Sequence, residues 1–225
     1  MGAGETMSAN AAVMLAQWSY QPRVRTATRV HPDGCRDVIV VTAADGRRDW
    51  FVSDLDNTTR TVVVNGLERY EGIRLRPGAS IDTVILAAEL AQADMGRASV
   101  VTVVEASCSI DVNIREAIAG LSSRTLSITA HAREQGLGAR QLQRLFASQG
   151  LPPPLFWMAL ARARRTVAAL PQADSLASLA LDMGYSDQAH MGREFRRWFG
   201  TTPARLRRDK PRLEELLASG LATGS

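Results

Sequence analysis

The sequence predicts an α+β chain, with a small antiparallel β module in its N-terminal part and an all-α domain in its C-terminal half. Three observations lead there. Residues 24–76 hold short β-branched runs broken by turn residues, whereas from Asp111 to Arg208 apolar residues recur at helical spacing. Charge also changes sign: residues 1–125 carry 13 arginines against 15 carboxylates, a net of −2, and 126–208 carry 12 against 5, a net of +7. At 225 residues there is room for one large domain or two small ones, each with a proper core.

In the β module, "DVIVVTA" (37–43) and "DWFVS" (49–53) flank an Ala-Asp-Gly turn and read as one hairpin. "TRTVVV" (59–64) and "RYEGIRLR" (69–76) flank Asn65-Gly66 and read as a second, closed by Pro77-Gly78. From Ile81 to Ser109 the text is alanine-rich and reads as mainly helical. The organisation expected is a module over 1–80, a helical connector over 81–109, a helical domain over 110–208 and a tail over 209–225. Asp111 can cap a helix that runs to about Leu121.

The helical domain contains a degenerate repeat. "SITAHAREQG" (127–136) and "SLASLALDMG" (175–184) share a serine, a mid-helix alanine and a terminal glycine. After a short turn comes "ARQLQRLF" (139–146) in one copy and "QAHMGREF" (188–195) in the other, each with an apolar residue, then Arg and Phe at two-residue steps. Helix, glycine turn, helix is the helix-turn-helix pattern, so the domain is expected to hold two such units. "PPLFWMALARARRTVAAL" (153–170) between them reads as a linker helix, its prolines tolerated in the first turn. At helical rise it would span roughly 27 Å, enough to hold two reading helices about one turn of B-DNA apart. In the second unit Met191, Phe195 and Phe199 make one apolar seam while Arg193 and Arg196 point elsewhere.

"GYSDQAHMGREFRRWFGTTPARLRR" (184–208) resembles the C-terminal signature of the AraC/XylS-type bacterial transcription regulators, and "GLGARQLQRLF" (136–146) resembles that family's first recognition helix. Two positions depart from the pattern: Met191 stands where the family commonly has Phe, and Leu206 where it commonly has an aromatic. "HPDGCRDVIVV" (31–41) and "GIRLRPGA" (72–79) are similar to the small β module of a subgroup of the same family. The resemblance implies a sequence-specific DNA-binding transcription regulator, governed by its N-terminal module. Its implied partners are double-stranded DNA and RNA polymerase, with a small-molecule effector and a homodimer left open, no cofactor and no membrane.

Carried over by residue, the base-reading set is Arg140, Gln143 and Arg144, with Arg193 from the second unit. The first three share one helical face, and Arg and Gln suit the edges of guanine and adenine. Gln188, Ala189, His190, Gly192, Arg196 and Arg197 are assigned to phosphate contact or close approach. The second face is poorer in hydrogen-bonding groups, so it is expected to read less sequence and hold more phosphate.

Other chemistries find less support. Cys35 and Cys108, the only cysteines, are too few for a disulfide framework or a four-thiolate zinc site, and are expected to be free thiols. That excludes an Ada-like repair methyltransferase, which joins similar helices to a reactive zinc-bound cysteine. His31 with Cys35 makes no metal site, and "HPDGC" reads most simply as a tight turn. His131 reads as structural, and Trp50, Phe51 and Tyr70 as β core. No catalytic arrangement is evident, so no enzyme is expected. "MGAGETMSAN" lacks the order of a secretory signal and no run could span a bilayer, so the expectation is a cytoplasmic protein. The competing reading is a small-molecule binding or assembly protein whose helices bind DNA weakly and without sequence preference.

Overall fold

The computed structural model describes residues 13–92, 97–123 and 138–218. They form two compact units. Of the described residues, the first holds those up to 27 together with 36–54 and those within 63–112; the second holds 28–35, 55–62 and those from 113 onward. The strands in chain order are β1 (Met14–Tyr20), β2 (Thr26–Val30), β3 (Asp37–Thr42), β4 (Arg48–Val52), β5 (Arg60–Val64), β6 (Arg69–Leu75), β7 (Ser80–Ile81) and β8 (Cys108–Ser109).

In the first unit a four-stranded antiparallel sheet has the order β1-β6-β3-β4. Val38, Val40, Ile73 and Leu75 are buried in one core with Leu86 and Leu90 of α1 (Thr83–Gln92) and with Val100, Val103 and Val104 of α2 (Arg97–Ser107). Within 81–109 the described residues form α1 and α2 with β7 and β8 at either end, and they lie in this unit. Alternation explains which side chains lie in that core: strand residues two apart share a face. On the opposite face Gly72 sits between Trp18 and Ile39 in the register. A Cβ on Gly72 would fall 2.1 Å from the Trp18 ring, so only glycine lets the indole lie across the strand. The Trp18 Nε1–H then donates to Asp37 Oδ1 at 2.7 Å. Trp50 is half-buried against the core, whereas Phe51 is 46% exposed.

The second hairpin read from the sequence does not form. The Asn65-Gly66 turn is present, yet β5 pairs with β2 and β6 pairs with β1 and β3. Leu67, at φ 71°, is left-handed and donates its N–H to Pro22 O, and a Cβ on Gly66 would meet the Val24 backbone at 2.8 Å. The turn is therefore pinned to the 22–24 stretch, and the strands on either side of it find different partners. β1, which the sequence reading passed over, supplies the edge next to β6.

The second unit is helical: α3 (Val112–Ser123), α4 (Ala139–Ser148), α5 (Pro154–Ala169), α6 (Leu176–Asp182), α7 (Gln188–Phe199), α8 (Pro203–Arg208) and α9 (Lys210–Ala218), with a 3₁₀ turn at Leu170–Gln172. The helix expected over 127–136, with His131, lies outside the described residues. Two cores share α5. Ile114, Ala117, Ile118, Leu121, Leu142, Phe146 and Trp157 form one. The other gathers Leu160, Ala163 and Val167 of α5 with Met191, Phe195, Trp198 and Phe199 of α7, and with Leu206, Leu213 and Leu216. Segment 209–218 thus contributes α9 to a core.

The "HPDGC" stretch belongs to this helical unit, with all five residues buried. Pro32 O accepts from the buried Arg164 guanidinium, which also donates to Leu216 O at 2.6 Å. Asp33 Oδ1 accepts from Cys35 N–H, and Gly34 takes φ 80° to close the turn. His31 Nδ1 lies 2.8 Å from Thr59 Oγ1, and its Nε2 faces Glu215 Oε2 at 3.6 Å without a hydrogen-bond partner. Burial pushes the His31 pKa down from 6.5 to about 4; Glu215 opposes that shift, while Arg212 and Arg164 reinforce it. Cys35 and Cys108 are both buried and form no disulfide, and burial pushes the Cys108 thiol up.

Two measurements check this architecture. Gly72→Ala should displace the Trp18 ring and destabilise the first unit by about 1–3 kcal/mol, read from denaturant unfolding and from Trp fluorescence. His31 is neutral when folded but titrates near its ordinary pKa when unfolded, so the unfolded chain binds more protons between pH 4 and 6.5. Stability should therefore fall as pH falls through that window. Its share from pH 7 to 5 is about 2 kcal/mol, and His31→Gln should show a correspondingly shallower acid slope in urea unfolding.

Candidate nucleic-acid interface

α4 begins at Gly138, whose N–H donates to Gln141 Oε1 at 2.7 Å; Gln141 is thereby committed to the helix start. The face that packs inward is Leu142 and Phe146, both fully buried against α3 and Trp157. Rotation by the helical period then sends Arg140, Gln143 and Arg144 outward, and with Ala147 they line one open concavity. These three long hydrogen-bonding side chains are brought together as their spacing implied.

The second unit is built from stop and start signals. α6 starts at Ser175, whose hydroxyl accepts from Ser178 N–H, and ends at Gly184 with φ 76°. Tyr185 follows and is buried; the Arg162 guanidinium lies 4.5 Å above its ring and donates to Gly184 O. Burial also pushes the Tyr185 pKa up. Asp187 caps α7 by accepting from His190 N–H at 2.6 Å, a bond that holds its carboxyl below the usual range. At the far end Gly200, at φ 60°, closes α7 in the left-handed region. Thr202 caps α8, and Pro203 occupies its first turn. Much of the "GYSD…GTTP" signature is therefore architecture: turns, caps and one buried ring.

Between those signals Met191, Phe195 and Phe199 are fully buried, as the seam predicted, and Leu206 and Met191 both sit in the core despite departing from the family pattern. Gln188, Ala189, Arg193 and Arg196 are exposed and, with the half-buried Gly192, line a groove completed by Leu176, Thr202, Pro203 and Ala204. Two assigned residues have other engagements. Arg197 lies 4.7 Å over the Trp198 ring and 3.9 Å from Glu194. His190 is half-buried, edge-on to Tyr185, with Nδ1 3.1 Å from Ser186 Oγ.

Sequence reasoning missed Trp198 and Glu194. Trp198 is fully buried and its Nε1–H donates to Glu194 Oε2 at 3.1 Å. Glu194 also faces Arg162 at 4.0 Å, so one carboxylate ties α7 to α5. The i, i+4 spacing of Glu194 and Trp198 was the available signal. Among the described residues no group of three or more His, Cys, Asp or Glu side chains could hold a metal, and no helix is long and apolar enough to cross a membrane.

These two exposed faces, each seated on a buried seam, define a class. Residues 131–209 match the family described as "Helix-turn-helix domain". The match spans the stretch that holds both α4 and α7. The chain is also similar to the HTH-type transcriptional regulator VirS of Mycobacterium tuberculosis, 35% identical over 105 residues. That match covers 43% of this chain and 30% of VirS, so the chain spans less than a third of its relative. Among solved structures, ToxT of Vibrio cholerae aligns at a TM-score of 0.44 with 9% identity, covering 93% of this chain and 99% of that one.

Proposed function

We propose that the chain is a sequence-specific DNA-binding transcription regulator. One observation carries the reading: Arg140, Gln143 and Arg144 share an exposed face of α4 whose opposite side is anchored by Leu142 and Phe146. A face so held presents bidentate donors without paying for disorder, and Arg and Gln match guanine and adenine edges in the major groove. The net of +7 over 126–208 supplies the sequence-independent attraction to phosphate.

In this reading α4 discriminates bases. α7 reads less sequence and chiefly holds phosphate, Arg193 included, since Ala189 and Gly192 allow close approach while adding no donors of their own. The first unit governs response or assembly; its side of the chain carries no excess positive charge with which to grip DNA. RNA polymerase, a small-molecule effector and a second copy of the chain are the partners this role calls for. A binding or assembly protein with sequence-blind helices would lose affinity evenly on any arginine substitution.

Selection from a random DNA library with the full-length protein, followed by titration of single-base variants across a salt series, tests the reading. Arg144→Ala should weaken binding by about 1–3 kcal/mol and relax preference at one or two base pairs. Arg193→Ala should weaken all sequences more evenly and flatten the salt slope by about one unit. Lost discrimination from Arg193→Ala with none from Arg144→Ala would invert the assignment, and no selected sequence at all would remove it.

A further inference from the structure

The C-terminal end of α7 is held by groups far away in sequence. The last carbonyls of any helix lack intrahelical donors. Here Thr59 gives Trp198 O two hydrogen bonds, from its N–H at 2.9 Å and from its Oγ1–H at 3.0 Å. Arg212 donates to the next carbonyl, Phe199 O. A threonine hydroxyl has a single proton. Thr59 Oγ1 also lies 2.8 Å from His31 Nδ1, so the imidazole and the Trp198 carbonyl together set where the hydroxyl sits. His31 is itself kept in place by burial and by Arg164 on the adjoining Pro32 carbonyl.

We propose that Thr59, oriented by His31, is a positioning residue for the second recognition helix, and that segments 28–35 and 55–62 form a clasp setting the pose of α7 on DNA. This rests on the DNA-binding reading above. β2 leads the chain into the first segment and β5 leads it out of the second, so Thr59 joins the last turn of α7 to the start of β5. Both bonds that Thr59 gives to a helix go to α7, whereas Leu55, four residues earlier, packs against the core that seats α4. Thr59 therefore acts on the α7 share of binding and leaves the α4 share intact.

The test uses the full chain and the DNA site it selects. Thr59→Val keeps the shape and the backbone N–H but removes the hydroxyl, and Thr59→Ser restores it. Thr59→Val should weaken binding about fivefold, as the loss of one hydrogen bond implies, with Thr59→Ser near wild type. Placed in Arg193→Ala it should add little, because both act through α7; placed in Arg144→Ala it should add its full factor. Hydrogen exchange on the free protein gives a readout independent of DNA: amides in the last turn of α7 should exchange about fivefold faster in Thr59→Val, with those of α4 unchanged. Equal added losses in both backgrounds, or failure of Thr59→Ser to rescue, would make Thr59 merely structural and overturn the proposal. Unchanged exchange in α7 would do the same. If the wild-type protein selects no sequence, the functional reading falls, while the exchange result still decides whether the clasp holds the helix.

Discussion

The helical unit depends on one run of aromatic contacts. Phe146 of α4 lies 6.4 Å from Trp157, Trp157 lies edge-on to Phe156 at 5.3 Å, and Phe156 lies edge-on to Trp198 of α7 at 5.4 Å. Phe156 packs against both helical cores, so α5 is a shared wall. Rings at these separations and tilts gain from quadrupole alignment as well as from burial, and their stiffness leaves few ways to repack. Each exposed arginine face owes its orientation to this chain. Without it α4 and α7 would be two amphipathic helices with no fixed relation to a common rod.

Polar groups refine what the rings fix. Glu194 takes the Trp198 indole N–H and faces Arg162 and Arg197, while Arg162 also covers Tyr185 in the turn before α7. The same arginine-rich composition thus serves two purposes. Arg162, Arg164 and Arg165 are drawn inward to carbonyls and rings, and Arg140, Arg144, Arg193 and Arg196 are left at the surface. Residue type alone cannot separate these groups: the inward three all sit on α5, the rod shared by both cores, and the outward four on the helices that pack against it.

What was legible in the sequence was local. Gly184, Asp187, Gly200 and Thr202-Pro203 mark helix ends through rules that involve three or four neighbours, and the structure uses them so. The exposed trio on α4 followed from periodicity. What escaped was long-range. Asn65-Gly66 is a good hairpin signal, yet pairing is decided by which faces bury, and β6 finds β1 and β3. Nothing near His31 announces that its turn will be buried among helices, because the partners, Thr59, Arg164 and Glu215, stand 28 to 184 positions away. α9 looked like a tail because only Leu213 and Leu216 of its residues are buried.

The interleaving of the two units has a consequence for synthesis. Residues 28–35 and 55–62 leave the ribosome early, but the carbonyl that Thr59 caps is 139 residues later. A chain emerging N-terminus first can close the first unit once α2 and β8 are made, while its two excursions stay without their helices. The helical unit then condenses around segments already tethered at both ends, which shortens the search for so distant a contact and slows any attempt to fold the helices alone. For protein engineers the practical boundary of the helical unit is accordingly not a single cut near residue 110. A chimera that joins these helices to a foreign sensor must bring the two excursions with them.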